Sequence, residues 1–225
     1  MDIVITTDRE PGRHAETRLR FALRSLRNIP HENVFIAGAM PAIPVKELSL
    51  IRQRSRYKTE AALFQATAMR EDLTEEFIVM PDNCVIPDPY MVREFANVGN
   101  LKRRPEEMER MRGAIAYLLH KGCPTCIDFE LDIPMVFNRT KVLELVEDIG
   151  ADSDMMFRTA YFNTYPRKHL RIGNPLIEVW THHMDPLLSI LALSDTAYEH
   201  TQCRRWLSRA LPHHCRYEAE AVQAG

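Results

Sequence analysis

Lysine is scarce in this chain of 225 residues: six lysines stand against 23 arginines. No apolar run approaches the roughly 18 residues that a membrane span requires. The opening segment MDIVITTDRE is short and acidic, which reads as neither a signal nor a transit peptide and points to the cytoplasm. Glycine (8) and proline (14) are too few for a collagen-like or low-complexity chain. Cysteine numbers five, an odd count in a chain large enough to need no staples, so reduced thiols are expected. Large net charge is also missing. At −2, with a sequence pI near 6.5, there is no bulk pull toward nucleic acid. What remains is an ordinary globular composition, 45% hydrophobic and 27% charged. Its arginine bias suits bidentate contact with phosphate or carboxylate oxygens, or reflects codon usage alone.

The pattern along the chain alternates strand and helix. Residues 2–7 (DIVITT) read as a buried strand, 14–28 as a helix with Leu19, Ala22, Leu23 and Leu26 on one face, and 32–39 as a second strand. This is the unit of a parallel α/β sheet. A basic connector at 51–58 leads to a helix at 59–71, with Thr59 as its N-cap. A third strand at 75–80 runs into a polar break at 81–90. A charged helix spans 101–121 with Pro105 at its first position. Then come a strand at 129–138, a helix at 139–150 stopped by Gly150 and a helical stretch at 152–165. A strand at 175–183 and a last helix at 200–211 complete the pattern. With no repeat and no long linker, one domain is expected over 1–225.

The most pointed local feature is FIVMPDNCVIPDP, where a buried strand delivers Asp82 and Asn83 at its C-terminal end. Ligands bind at that edge of open α/β sheets, and a carboxylate exposed there can hold a divalent cation with a diphosphate. The bland alternative is an Asx turn at Asp82. Thr7, Asp8 and Arg9, at and just after the end of the first strand, are candidates for ligand binding at the same edge, with Arg56, Lys58 and Arg158 as candidate phosphate contacts. The cluster Lys102, Arg103, Arg104 with Arg110 and Arg112 either holds DNA phosphates or forms a solvated face with Glu106, Glu107 and Glu109. Cys123-Pro-Thr-Cys126 could be half a zinc site, with His213, His214 and Cys215 as the other half.

Five blocks occur in one order: LRFALRSL (19–26), FIVMPDNCVI (77–86), ELDIPMVFNR (130–139), FRTAYFN (157–163) and LSDTAYEHTQCRRWLSRALPHHCRYE (193–218). Together they resemble small phage-type glycosyltransferases of the GT-A class, distantly similar to capsular-polysaccharide sugar-phosphate transferases. The resemblance implies a single GT-A-like, Rossmann-like domain: a mixed, mainly parallel sheet flanked by helices. Residues 1–100 would form the nucleotide-sugar half and 101–225 the acceptor half. It also implies a nucleotide-sugar donor, a divalent cation (Mn or Mg) and no membrane.

Asp82 matches the family's acidic motif, while Asn83 stands where a second acid is usual. Asp132 stands where the family usually has His, with Glu130 two residues before it; either carboxylate can act as the catalytic group. Arg158, Asn163 and Asp195 match family positions, Asn163 on the donor side. His182 is a late metal-ligand candidate by resemblance, beside Asp82 and Asn83. The acceptor implied for such an enzyme is a hydroxymethyl-pyrimidine base in phage DNA, contacted through Arg103, Arg104 and Arg110, inside the host cytoplasm. The alternatives are a surface polysaccharide acceptor or a noncatalytic nucleotide-sugar or DNA binding module.

Overall fold

In the computed structural model the described residues are 1–7, 12–39, 43–51, 59–89, 96–97, 99–102, 104–166, 170–171, 176–180 and 190–218. The first half contains β1 (Asp2–Thr6), α1 (Ala15–Ser25), β2 (Val34–Ala37), β3 (Ser49–Ile51), α2 (Glu60–Ala68), β4 (Glu76–Pro81), β5 (Cys84–Val85) and β6 (Ala96–Asn97). The second contains α3 (Met108–His120), β7 (Met135–Asn138), α4 (Arg139–Ile149), α5 (Phe157–Thr164), β8 (Leu170–Arg171), β9 (Leu176–Ile177), β10 (Leu191–Leu193), α6 (Asp195–Glu199) and α7 (Thr201–Ala210).

The central sheet has the order β3-β2-β1-β4-β7. The first four strands are parallel and β7 is antiparallel to β4. This is the expected mixed, mainly parallel α/β sheet with helices on both faces. Alternation along the strands divides the core in two. Ile3, Ile5, Ile36, Ile78 and Met80 face α1, where Leu19, Leu23 and Leu26 meet them. Val4, Phe35, Phe77, Val79 and Phe137 face the opposite way, onto Phe64 of α2, Leu145 of α4 and Phe157 of α5. A third apolar cluster joins β5, β10, α6 and α7.

The local signals act as their chemistry requires. Thr59 caps α2, its hydroxyl accepting from the Ala62 amide at 3.1 Å. Pro105 opens a short 3₁₀ turn at Pro105–Glu107, and the α-helix begins only at Met108. Gly150 stops α4 with φ +82°. Two strands are shorter than the apolar pattern suggested. Over 129–138 only Met135–Asn138 pairs, because Leu131 donates back to the Phe129 carbonyl and the chain turns at Asp132. Over 175–183 only Leu176–Ile177 pairs among the described residues, and His182 lies outside them. β3, β5, β6, β8, β10 and α6 fall where no strand or helix was expected. β10 is only three residues long, and Ser194 rather than His200 caps the first turn after it.

The register places the site. Thr6 pairs with Ala37 on one side and with Pro81 on the other. Thr7, Gly38 and Asp82 therefore stand in one row, just beyond the carboxyl ends of three parallel strands. Gly38 has φ +126°, and a Cβ there would lie 2.3 Å from the Thr7 carbonyl oxygen. Only glycine lets β2 end this close to β1.

Candidate functional site

A cleft of about 450 Å³ opens over this row. Its floor is Thr6, Thr7, Gly38, Pro81 and Asp82. Arg18 reaches it from α1, Thr59 and Glu60 from the start of α2, and Arg110, Asp132, Asp154 and Arg158 close the far side. Residues of both halves of the sequence thus meet across it.

Asp82 is not the exposed strand-end carboxylate that the sequence suggested. It is 4% exposed, and its Oδ2 accepts from the Arg18 guanidinium at 3.4 Å. Arg18 is itself buried and also donates to Asp195 Oδ1 at 3.1 Å. Asp195 thus holds the arginine that faces Asp82. Next to it, the Asn83 amide nitrogen donates to Asp132 Oδ2 at 3.1 Å. Among the described residues the buried Asn83 Oδ1 has no hydrogen-bond partner. An unpartnered buried carbonyl oxygen next to Asp82 is a site for a donor or a cation.

These donors suit a hard divalent cation. Magnesium in particular takes one or two carboxylates and completes its shell with water and substrate phosphate. Asp82 and the Asn83 carbonyl meet that requirement. Among the described residues no group of three or more histidine, cysteine, aspartate or glutamate side chains is placed to hold a metal ion.

Arg158 is 7% exposed and is built into the wall. Its Nε donates to Glu60 Oε1 at 3.1 Å and its Nη1 to the Leu131 carbonyl at 2.6 Å. Glu130 stands behind it, accepting from the Thr159 amide at 2.9 Å, and is not among the residues lining the cleft. Of the two candidate carboxylates, then, Asp132 faces the cleft and is exposed, while Glu130 supports the wall. Burial first, and then the charge of Glu60, push the Glu130 carboxyl up to about 7, against the pull of Arg158.

This shift has a direction in pH. A carboxyl raised in the folded state favours folding while it is protonated. That contribution is lost as the pH rises through the folded value. The melting temperature of the native chain is therefore expected to fall by a few degrees between about pH 5.5 and about pH 8. Glu130→Gln, neutral throughout, should flatten that slope, as thermal melts at both pH values will test. Parallel slopes in the two proteins would count against it.

Asn163 requires correction as a donor contact. Its Oδ1 accepts from the Ile127 amide at 3.0 Å, and its Nδ2 donates to the Ile127 and Thr159 carbonyls, both at 2.8 Å. It ties the 123–127 loop to α5 and does not line the cleft. The basic cluster also resolves differently from a free DNA-binding face. Arg104 pairs with Glu107 and Asp128. Arg110 pairs with Glu60, Glu107 and Asp154, on the cleft wall. Arg103 lies outside the described residues, as do Asp8, Arg9, Arg56 and Lys58.

The zinc reading of Cys123 and Cys126 gains no partner among the described residues. Burial pushes the Cys126 thiol up to about 11, so it is no ready thiolate. The site residues that sequence reasoning missed are Arg18, Glu60 and Asp154. A charged residue on the apolar side of α1 was the available signal for Arg18. Nothing local marked the other two.

The described chain is a mixed α/β domain with a polar, arginine-walled cleft at the carboxyl ends of its parallel strands. No family model matches the sequence, and no curated protein matches it. Two solved structures are similar in outline. One is the glycosyltransferase GlyE of Streptococcus pneumoniae TIGR4, with 12% identity and TM-score 0.37 over 77% of this chain. The other is the galactosyltransferase LgtC in complex with donor and acceptor sugar analogues, with 11% identity and TM-score 0.43 over 93% of this chain. The chain spans 45% of the first and 94% of the second. Among the described residues no helix is long and apolar enough to cross a membrane.

Proposed function

We propose that the protein is a divalent-metal-dependent glycosyltransferase that uses a nucleotide-sugar donor. The observation that carries this reading is the row Thr7, Gly38, Asp82 and Asn83 at the strand ends, with the unpartnered Asn83 oxygen, faced by three arginines. Asp82 and Asn83 would hold the cation, whose positive charge, when bound, offsets charge on a diphosphate. His182 belongs to the same assignment but lies outside the described residues. Residues 1–100 supply the floor and Arg18, the donor side. Residues 101–225 supply Asp132 and Asp154 toward the acceptor, and Arg110 and Arg158 toward the departing diphosphate.

The chemistry follows from these placements. The bond between the anomeric carbon and the diphosphate oxygen breaks, and the acceptor oxygen bonds to that carbon. Negative charge collects on the departing diphosphate, where Arg18, Arg110 and Arg158 stabilise it. The sugar passes through an oxocarbenium-like state. Asp132, exposed in the cleft, takes the proton of the acceptor hydroxyl. Glu60 and the Leu131 carbonyl fix the Arg158 guanidinium, and Glu130 acts on it through charge alone. The acceptor we assign is an alcohol on a macromolecule, in the first instance the hydroxymethyl group of a pyrimidine base in DNA.

A panel of nucleotide sugars tests the reading without any acceptor. One donor should be hydrolysed slowly, releasing nucleoside diphosphate at a rate that excess chelator suppresses and added manganese or magnesium restores. Incubation of hydroxymethylated DNA with that donor, followed by nucleoside mass analysis, reads transfer. Failure to bind or hydrolyse any donor would leave the cleft without this function.

A further inference from the structure

We propose that the outer face of α7 and the two tryptophans beside it form a binding groove for single-stranded nucleic acid. A groove of about 650 Å³ runs here, lined by Trp180, Arg204, Arg205, Trp206, Ser208 and Arg209. It shares no residue with the cleft described above. Trp180 and Trp206 lie 5.5 Å apart, ring centroid to centroid, in a tilted pair at its side.

Charge sets this helix apart. Every arginine of α1, α3, α4 and α5 is ion-paired to a carboxylate. Arg204, Arg205 and Arg209 are exposed, and among the described residues none has a carboxylate partner. The sequence explains why: between Glu199 and Glu218 there is no aspartate or glutamate, but four arginines and three histidines. In a chain of net charge −2 this is a local excess of one sign. Arg205 and Arg209 are one helical turn apart, so their guanidinia serve one face.

Three uncompensated guanidinia next to the half-buried Trp206, which packs on the buried Trp180, match a phosphodiester strand better than other partners. Phosphates meet the arginine forks, and unpaired bases have flat faces that stack on an aromatic side chain. A membrane surface would ask for an apolar face turned outward. On α7 the apolar residues Cys203 and Leu207, with Leu211 just after the helix, are buried in the core instead. A neutral glycan would leave the arginines unmatched. The inference stands on α7 alone. If the proposed transfer reading also holds, the groove supplies the grip on a nucleic-acid acceptor.

The test uses the tryptophans themselves. The chain has only two, and both belong to this groove, so intrinsic tryptophan emission reports on it. Titration with an oligothymidylate of about 12 nucleotides should quench the emission saturably at low salt. With three phosphate contacts on a single strand, affinity should fall roughly 20-fold between about 50 and about 200 mM salt. Arg204→Ala/Arg205→Ala/Arg209→Ala, with its fold checked by circular dichroism, should bind at least about tenfold more weakly and lose most of that salt dependence. Its acceptor-free donor hydrolysis should be unchanged.

The absence of quenching, or equal binding by the triple variant, would overturn the proposal. So would equal competition by dextran sulfate, which would mark a general polyanion face. An emission shift with phosphatidylserine vesicles and none with the oligonucleotide would assign the face to a membrane. Loss of donor hydrolysis in the native chain, with oligonucleotide binding intact, would sink the transferase reading and leave this one standing.

Discussion

Asp82→Ala is expected to reduce nucleoside diphosphate release by roughly 10²–10³-fold, the scale seen when one preorganised charge contact is removed from a transition state. Asp82 stands in the row where three parallel strands end, beside the unpartnered Asn83 oxygen. Among the described residues it is the one acidic residue on the floor of the cleft. Because Asp82 is buried and paired with Arg18, the variant also disturbs a charge network. Arg18 keeps Asp195 as a partner, which limits the loss. Asp82→Asn preserves the shape and a hydrogen-bond acceptor, and should fold as the native chain does while remaining impaired. Donor hydrolysis in both variants, read beside their thermal melts, separates chemistry from folding. Native turnover in either variant would remove Asp82 from the site.

Arg158→Met should cost about 2–4 kcal/mol of stability, since removing one member of a buried charge group leaves the others uncompensated. The guanidinium is 7% exposed, donates to Glu60 and to the Leu131 carbonyl, and also acts on the charge of Glu130. Glu60 retains Arg110 at 3.3 Å, which places the loss toward the lower part of the range for buried pairs. Glu130 keeps the Thr159 amide and the weaker pull of Arg110, and its carboxyl should titrate still higher than in the native chain. The double variant Arg158→Met/Glu130→Gln removes both the cation and the stranded carboxylate. It should recover part of the lost stability, a coupling that a double-mutant cycle in urea will measure. Additive losses would show that the two groups do not act as a unit. Donor hydrolysis should remain low in both variants, because restoring stability does not restore a positive charge to the cleft wall.

Much of the frame can be read in the amino-acid order. The 2–7 and 32–39 apolar runs around an amphipathic 14–28 segment specify strand, helix and strand with little competition. Thr59 and Gly150 mark helix limits through local chemistry alone, one by a hydroxyl cap and one by a left-handed backbone. Asp82 and Asn83 at the end of an apolar strand point to the sheet edge where ligands bind. These features depend on residues near one another in sequence. Where local pattern and packing diverge, as at 129–138, periodicity misleads. That stretch is buried enough to read as a strand, yet a turn at Asp132 leaves only its last four residues in the sheet.

The membership of the cleft was decided by tertiary structure. Arg18 and Asp82 are 64 positions apart, Arg18 and Asp195 are 177 apart, and Glu60 and Arg158 are 98 apart. No local pattern carries such pairings, because each depends on which helix the sheet order sets beside which strand. The same holds for the difference between Glu130 and Asp132. They are two residues apart and equally acidic, and only the turn between them puts one carboxylate behind Arg158 and the other in the cleft. Arginine partnership follows this rule too. The sequence counts 23 arginines, but packing decides that those of α1, α3 and α5 meet carboxylates while those of α7 face outward without one among the described residues. Composition and periodicity determine which elements form; long-range packing determines which charges neutralise one another and which remain free for a ligand.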